Sequence, residues 1–220
     1  MKKLSLIIIS GMYLFATSAF AEIGVNIGIS GSSGIFGATA KETHSGAGTT
    51  TQDSASEIAA VAYGSIFLEK ELGMFTIGVD YVPTPFESET AETAKQDDQT
   101  ANPTAAVKTV VTNKVQVDLT DLTTVYVGMN VTENAYVRVG YASMDVETNE
   151  DLGTGSTYGN TSLDGTVYGV GYQKDLDAVF VRVEGTYLDF DGVTLTSNDN
   201  TITLKNLDGV TGKISIGKSF

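Results

Sequence analysis

The sequence predicts an all-β fold: an antiparallel up-and-down transmembrane β-barrel of eight strands with four long extracellular loops. Three observations carry that prediction. Eight segments alternate apolar residues with small or polar ones, the two-residue period of strands that separate two environments. The connections between them are short and long in turn, which describes a meander whose two ends face different surroundings. The face opposite the apolar one is mostly Gly, Ser, Thr and Asn, whereas a soluble surface would be roughly a quarter to a third charged.

The elements follow in order. Lys2 and Lys3, an apolar run over 4–15 and the small-x-small pattern Ala19-Phe20-Ala21 read as a signal peptide over 1–21, cleaved after Ala21. The run is too short for a helical span of roughly 20 residues. One barrel domain then occupies 22–220. "EIGVNIGIS" sets Val25, Ile27 and Ile29 against Gly24, Asn26 and Gly28. "IAAVAYGSIFLE" is apolar on both faces and leaves its orientation open. "MFTIGVDYV" sets Phe75, Ile77, Val79 and Tyr81 against Thr76, Gly78 and Asp80. "NKVQVDLTDLTTVYVGM" continues through Leu119, Val125, Val127 and Met129, and "AYVRVGY" through Val137, Val139 and Tyr141. "TVYGVGYQ" and "VFVRVEGTY" add Tyr168, Val170, Tyr172, Val181, Val183 and Tyr187, and a last strand runs over 208–220.

"EKELG" (69–73), "VTENA" (131–135) and "KDLDA" (174–178) read as tight turns, with long polar stretches near 38–56, 83–113, 147–163 and 190–208. "AVKTVVT" and "VTLTSNDNTITL" keep strand character, so strands should continue beyond the membrane as hairpins. A ten-stranded alternative would count "AVKTVVT" as a further span, although it is shorter than the roughly 9–11 residues one needs.

Which face lies inside decides between a soluble barrel with an apolar lumen and a membrane barrel with a polar one. Glycines 24, 28, 78, 128, 140, 169, 171 and 217 share the second face with the chain's two arginines, Arg138 and Arg182. Asp80, Glu184, Lys213, Tyr126 and Tyr136 lie there as well. This nearly balanced set reads as a packed polar lumen network of Asp80, Arg138, Arg182, Glu184 and Lys213. Outward aromatics are expected to form interfacial girdles: Phe67, Phe75, Tyr172 and Phe220 at one rim, Tyr81, Tyr141 and Tyr187 at the other.

After the leader, 27 acidic residues face 11 basic ones, a net charge of −16, which argues against nucleic acid as a partner. With no cysteine, disulfides and thiolate chemistry are excluded. The leader, the eight alternating segments and the terminal "GKISIGKSF" together resemble the small outer-membrane barrels: the OmpA transmembrane domain, OmpX-type and opacity-type proteins. That resemblance implies the outer membrane of a Gram-negative-type bacterium, with its lipid and lipopolysaccharide as surroundings. It also implies that the barrel-assembly machinery reads Ile214, Ile216 and Phe220, although Lys218 departs from the apolar residue preferred two before the end.

Chemistry is sparse. The one histidine, His44, stands beside Ser45, the pair that lipid-modifying barrel enzymes place at a rim. In a Gly/Thr-rich loop it reads better as solvated. "DFDG" with "NDN" offers oxygen ligands without the spacing of a calcium loop, and "GTGSTYG" lacks the lysine and helix of a phosphate loop. No cofactor, metal site or catalytic residue is expected. The predicted function is a non-enzymatic structural or surface-interaction role, with loops displaying an acidic surface to an unidentified ligand. A narrow channel is the alternative, and a lipid-modifying enzyme ranks behind it.

Overall fold

The computed structural model describes residues 24–46, 49–87, 91–98, 108–151, 158–177, 179–197 and 200–220. The expected signal peptide lies outside the described residues, as do most of "GTGSTYG" and two residues of "NDN". The elements are β1 (Val25–Gly46), β2 (Thr49–Leu72), β3 (Phe75–Tyr81), β4 (Phe86–Glu87), β5 (Ala91–Asp98), β6 (Lys108–Asn130), β7 (Ala135–Asp151), β8 (Thr161–Asp175), β9 (Phe180–Phe190), β10 (Val193–Ser197) and β11 (Asn200–Ser219). Eight of them form the wall in the order β1-β2-β3-β6-β7-β8-β9-β11, and β11 pairs back onto β1 to close it. At the seam Phe220 donates its N–H to the Val25 carbonyl (2.8 Å), and Val25 returns one to Phe220 (3.2 Å). Closure removes the edges that an open sheet would expose to lipid.

The alternating faces take the sides that the sequence predicts. Ile214 is 64% exposed and Val170 61%, with Ile29, Ile77, Val125, Val139 and Val183 also turned outward. Exposed aliphatic side chains all around a closed wall form the lipid-facing surface of a transmembrane barrel. Tyr141, Tyr168 and Tyr187 are exposed towards one end of it, Tyr168 opposite Tyr187 in register. The 22 residues of β1 would extend about 70 Å at strand rise, against the roughly 9–11 residues a crossing requires. The surplus stands outside as ribbons: β1 with β2, β5 with β6, and β10 with β11. "AVKTVVT" belongs partly to the ribbon strand β6, and the wall has eight strands, not ten.

Three readings of the sequence need correction. "EKELG" is not a turn as a whole: β2 continues to Leu72, and the reversal is confined to Gly73–Met74, where Gly73 takes φ 67°. Leu119 turns inward, because a bulge lies between Thr120 and Thr123, with Asp121 at φ 55°. One extra residue reverses the alternation beyond it. Phe67 belongs to the lumen and not to a girdle: it is 4% exposed and sits opposite Gly28.

Candidate functional site

The lumen is built from inward positions of all eight wall strands, and it has two halves of different chemistry. Near the tight turns it is ionic. β2 delivers Glu69, β3 Asp80, β7 Arg138, β9 Arg182 and Glu184, and β11 Lys213, each nine-tenths or more buried. All five residues of the predicted network therefore face one interior. The register also places Lys213 opposite Glu184, yet its ammonium reaches Asp80 instead, at 2.6 Å.

The pairing was not legible from the strands. Arg182 bonds Glu69 through both guanidinium ends (Nη1–Oε1 2.6 Å, Nη2–Oε2 2.9 Å), a planar fork matched to a carboxylate. The Gln173 Oε1 atom accepts from Arg182 Nη2 at 2.7 Å. Glu184, two residues from Arg182 on the same strand, pairs instead with Arg138 Nη2 at 2.7 Å. Hydroxyls satisfy the remaining carboxylate lone pairs: Tyr126 donates to Glu69 (2.6 Å), Tyr136 to Glu184 (2.6 Å) and Thr186 to Glu184 (2.8 Å). Arg182 lies 5.1–5.4 Å from the ring centres of Phe67, Tyr136 and Phe180, and Arg138 lies 4.6 Å from that of Tyr126. These are cation–π distances. Three cations meet three carboxylates, so the buried set is neutral, as a dry site requires.

Glu69 is the member that sequence reasoning missed. Its neighbours Lys70 and Glu71 give the stretch the look of a solvated turn. The available signal was its even spacing from Phe67, had the face of β2 been known.

Towards the long connections the lumen is apolar. Val82, Leu122, Met144, Val146, Leu163, Val167, Leu188, Phe190 and Leu207 form one buried cluster. The uniformly polar lumen expected from the sequence thus holds only for the turn-side half. The glycine face overlooked Leu163, Val167 and Leu188 because they lie where loop-rich sequence begins. A cavity of about 40 Å³ opens at the ionic end beside Glu71, Thr76 and Arg138, space for a few waters and not a passage.

Glycines make this filling possible. Rings of Phe67, Tyr126, Tyr136 and Phe180 lie over Gly28, Gly78, Gly171 and Gly217, each directly across a strand pair. A Cβ on Gly171 would stand 2.3 Å from the Tyr136 ring.

At the barrel's end, Ile214 and Ile216 point to lipid, and Lys218 Nζ sits 4.9 Å from the centre of the Phe220 ring. No group of His, Cys, Asp and Glu suited to a metal ion occurs among the described residues. His44 lies on the outer ribbon opposite Thr51 and Asn200 in register.

The fold is a closed eight-stranded antiparallel barrel. No family model matches the chain, and no curated protein matches its sequence. Solved structures of similar fold include Ail, the attachment invasion locus protein of Yersinia pestis, at 11% identity, covering 86% of this chain and 99% of that one, with a TM-score of 0.35. Neisserial surface protein A is similar at 12% identity, over 86% and 97% of the two chains, with a TM-score of 0.38. The outer membrane protease OmpT of Escherichia coli is similar at 11% identity, over 93% and 99%, with a TM-score of 0.45. An attachment protein and a protease are thus both among the structures of similar fold.

Proposed function

We propose that this chain is an outer-membrane protein of a Gram-negative-type bacterium that carries out no reaction of its own. In this reading the barrel is a closed support, and the outer ribbons and loops make the contacts. The observation that carries the proposal is the filled lumen. Ion pairs close its turn-side half and packed aliphatic and aromatic side chains close the other, and eight strands enclose an interior about wide enough for side chains alone. The buried charges are all engaged with one another, which leaves none poised as an acid, base or nucleophile.

The exposed aliphatic belt faces outer-membrane lipid and lipopolysaccharide, and the alternating final strand with Phe220 serves as the signal to the barrel-assembly machinery. The tight turns 73–74 and 131–134 then lie in the periplasm and the ribbons outside the cell. Planar-bilayer recording of the refolded protein tests the closed support: no steady current is expected, and well-defined single-channel steps would overturn it. An epitope inserted near Gln96 should be labelled on intact cells and one near Glu133 should not. Labelling in the opposite sense would reverse the orientation.

A further inference from the structure

The outward face of the wall carries charge at two levels, and the two levels have opposite signs. At the turn side Lys70, Lys174 and Lys218 continue the outward series of their strands below Leu68, Tyr172 and Ile216, all three exposed. At the ribbon side Asp145, Asp164, Asp189 and Asp208 continue the outward series above Tyr141, Tyr168, Tyr187 and Val210. The next basic residues in that direction, Lys41 and Lys205, lie beyond the register shift between Gly37 and Thr39.

The two levels are one membrane thickness apart. Asp164 and Lys174 share β8, Asp208 and Lys218 share β11, and each pair is ten residues apart. At a strand rise of about 3.3 Å this is about 33 Å along the chain, which a tilt of about 40° reduces to about 25 Å, the height of the apolar band of such barrels. Exposed rings accompany both levels: Tyr168 and Tyr187 inside the aspartates, Tyr172 two residues before Lys174. Such rings mark the depth of lipid headgroups. The lysines occupy every second strand of an arc, β8, β11 and β2, with β9 and β1 between them. None of the three forms an ion pair among the described residues, and Lys218 lies over the Phe220 ring. The carboxylates of this end are engaged or set further out: Glu71 accepts from Asn26 and Asp175 from Gln173, while Glu133 and Asp177 lie in the turns. At the other level Asp189 and Asp208 stand directly opposite each other, a like-charge pair that a neighbouring anion would aggravate.

We propose that Lys70, Lys174 and Lys218 form a binding arc for the phosphate headgroups of anionic phospholipid in the turn-side leaflet, and that the aspartate level turns such headgroups away on the ribbon side. The match is one of charge and of depth. An ammonium on a flexible stem meets a phosphate as a point charge, and these three stand where the headgroups of that leaflet lie. Each lysine near an anionic surface favours association by about fivefold. The proposal rests on the lipid-facing reading of the belt given above, and it is indifferent to what the ribbons and loops contact.

The probes are phosphatidylglycerol and phosphatidylcholine with the same acyl-chain spin label, in phosphatidylcholine vesicles that hold the refolded barrel. Electron paramagnetic resonance reads how much of each lipid is held at the protein surface. Averaged over the whole lipid shell, phosphatidylglycerol should be favoured about twofold or more at low salt, and the preference should shrink as salt rises. Replacing Lys70, Lys174 and Lys218 together by glutamine should abolish most of it, whereas Asp164→Asn, Asp189→Asn and Asp208→Asn together should increase it. Lys205→Gln, beyond the rim, should leave it unchanged. Lys174→Gln alone, on a strand away from the β1–β11 seam, should remove a measurable part and serves as the test if the triple lysine variant does not fold. Equal association of the two lipids with the parent, an undiminished preference in the lysine variants, or an equal loss on Lys205→Gln would each overturn the proposal. So would displacement of the lipid by inorganic phosphate but not by chloride of equal ionic strength, since the site would then be one for a free anion. A barrel that entered none of the vesicles would remove the lipid-facing reading and the proposal with it.

Discussion

Replacing Arg182 by alanine leaves the Glu69 carboxylate, with a side chain 1% exposed, beside Tyr126 and Asn26 without its cation. A buried carboxylate stripped of a bidentate partner costs about 3–5 kcal/mol, because its desolvation is no longer offset. Gln173 also loses a donor, worth about 1 kcal/mol, and three rings lose a cation contact. A double-mutant cycle separates the pair from its surroundings. Arg182→Ala with Glu69→Ala should show a coupling of about 2–3 kcal/mol. Arg182→Ala with Glu184→Ala should be additive to within about 0.5 kcal/mol, since Glu184 is held by Arg138. Urea unfolding in detergent, followed by far-UV circular dichroism because the chain has no tryptophan, gives the four free energies of each cycle. A larger coupling to Glu184 than to Glu69 would refute the crossing arrangement. An Arg182→Ala effect no greater than that of the exposed Lys174→Ala would refute the dry ionic half altogether.

Other consequences are simpler to measure. Gly171→Ala forces a methyl group into the Tyr136 ring and should cost about 1–3 kcal/mol, with most of it recovered in the background of Tyr136→Leu. Leu163→Ala in the apolar half should cost about 2–5 kcal/mol by leaving a cavity, yet it should not create a bilayer current, because the ionic half still blocks the bore. Deleting Phe220 should leave refolding in detergent nearly unchanged while unassembled protein accumulates in the periplasm, and normal outer-membrane levels in cells would remove the assembly-signal reading.

Fold and site were unequally legible, for physical reasons. Strand alternation reports the contrast between lipid and lumen, and that contrast is strongest where the barrel crosses the membrane; hence the sides taken by Ile77, Val139, Val183 and Ile214 could be read directly. It fails where one residue is added or where both faces are apolar. The bulge at Asp121 turned Leu119 inward, and β2, apolar on both faces, concealed both Phe67 and Glu69. The members of the ionic set were visible as charges on a glycine-rich face, but their partners were not. Pairing depends on the reach of long side chains across the bore, so that Lys213 passes over its register neighbour Glu184 to meet Asp80.

That crossing suggests how one register is selected from several. Backbone ladders are nearly indifferent to a slip of two residues, which keeps every side chain on its face. Ring-over-glycine pairs are not indifferent. Phe36 over Gly209 and Phe190 over Gly165 join the four near the ionic half, so that six strand-to-strand contacts carry one such pair. Sliding β8 by two residues against β7 would set Tyr136 against Gly169 or Gln173 and move Arg138 off Gly169, where the guanidinium stem already lies within 2.8 Å of a notional Cβ. The same slide would carry Arg138 away from Glu184 unless β9 moved with it. Pairs such as Arg182–Glu69 and Lys213–Asp80 join strands that are not neighbours, and they therefore couple the choice made at one ladder to the choice made at the next. A closed barrel must satisfy every register at once. The neutral ionic half, costly to bury and of little net stabilising value by itself, is best explained as the part that makes those choices agree.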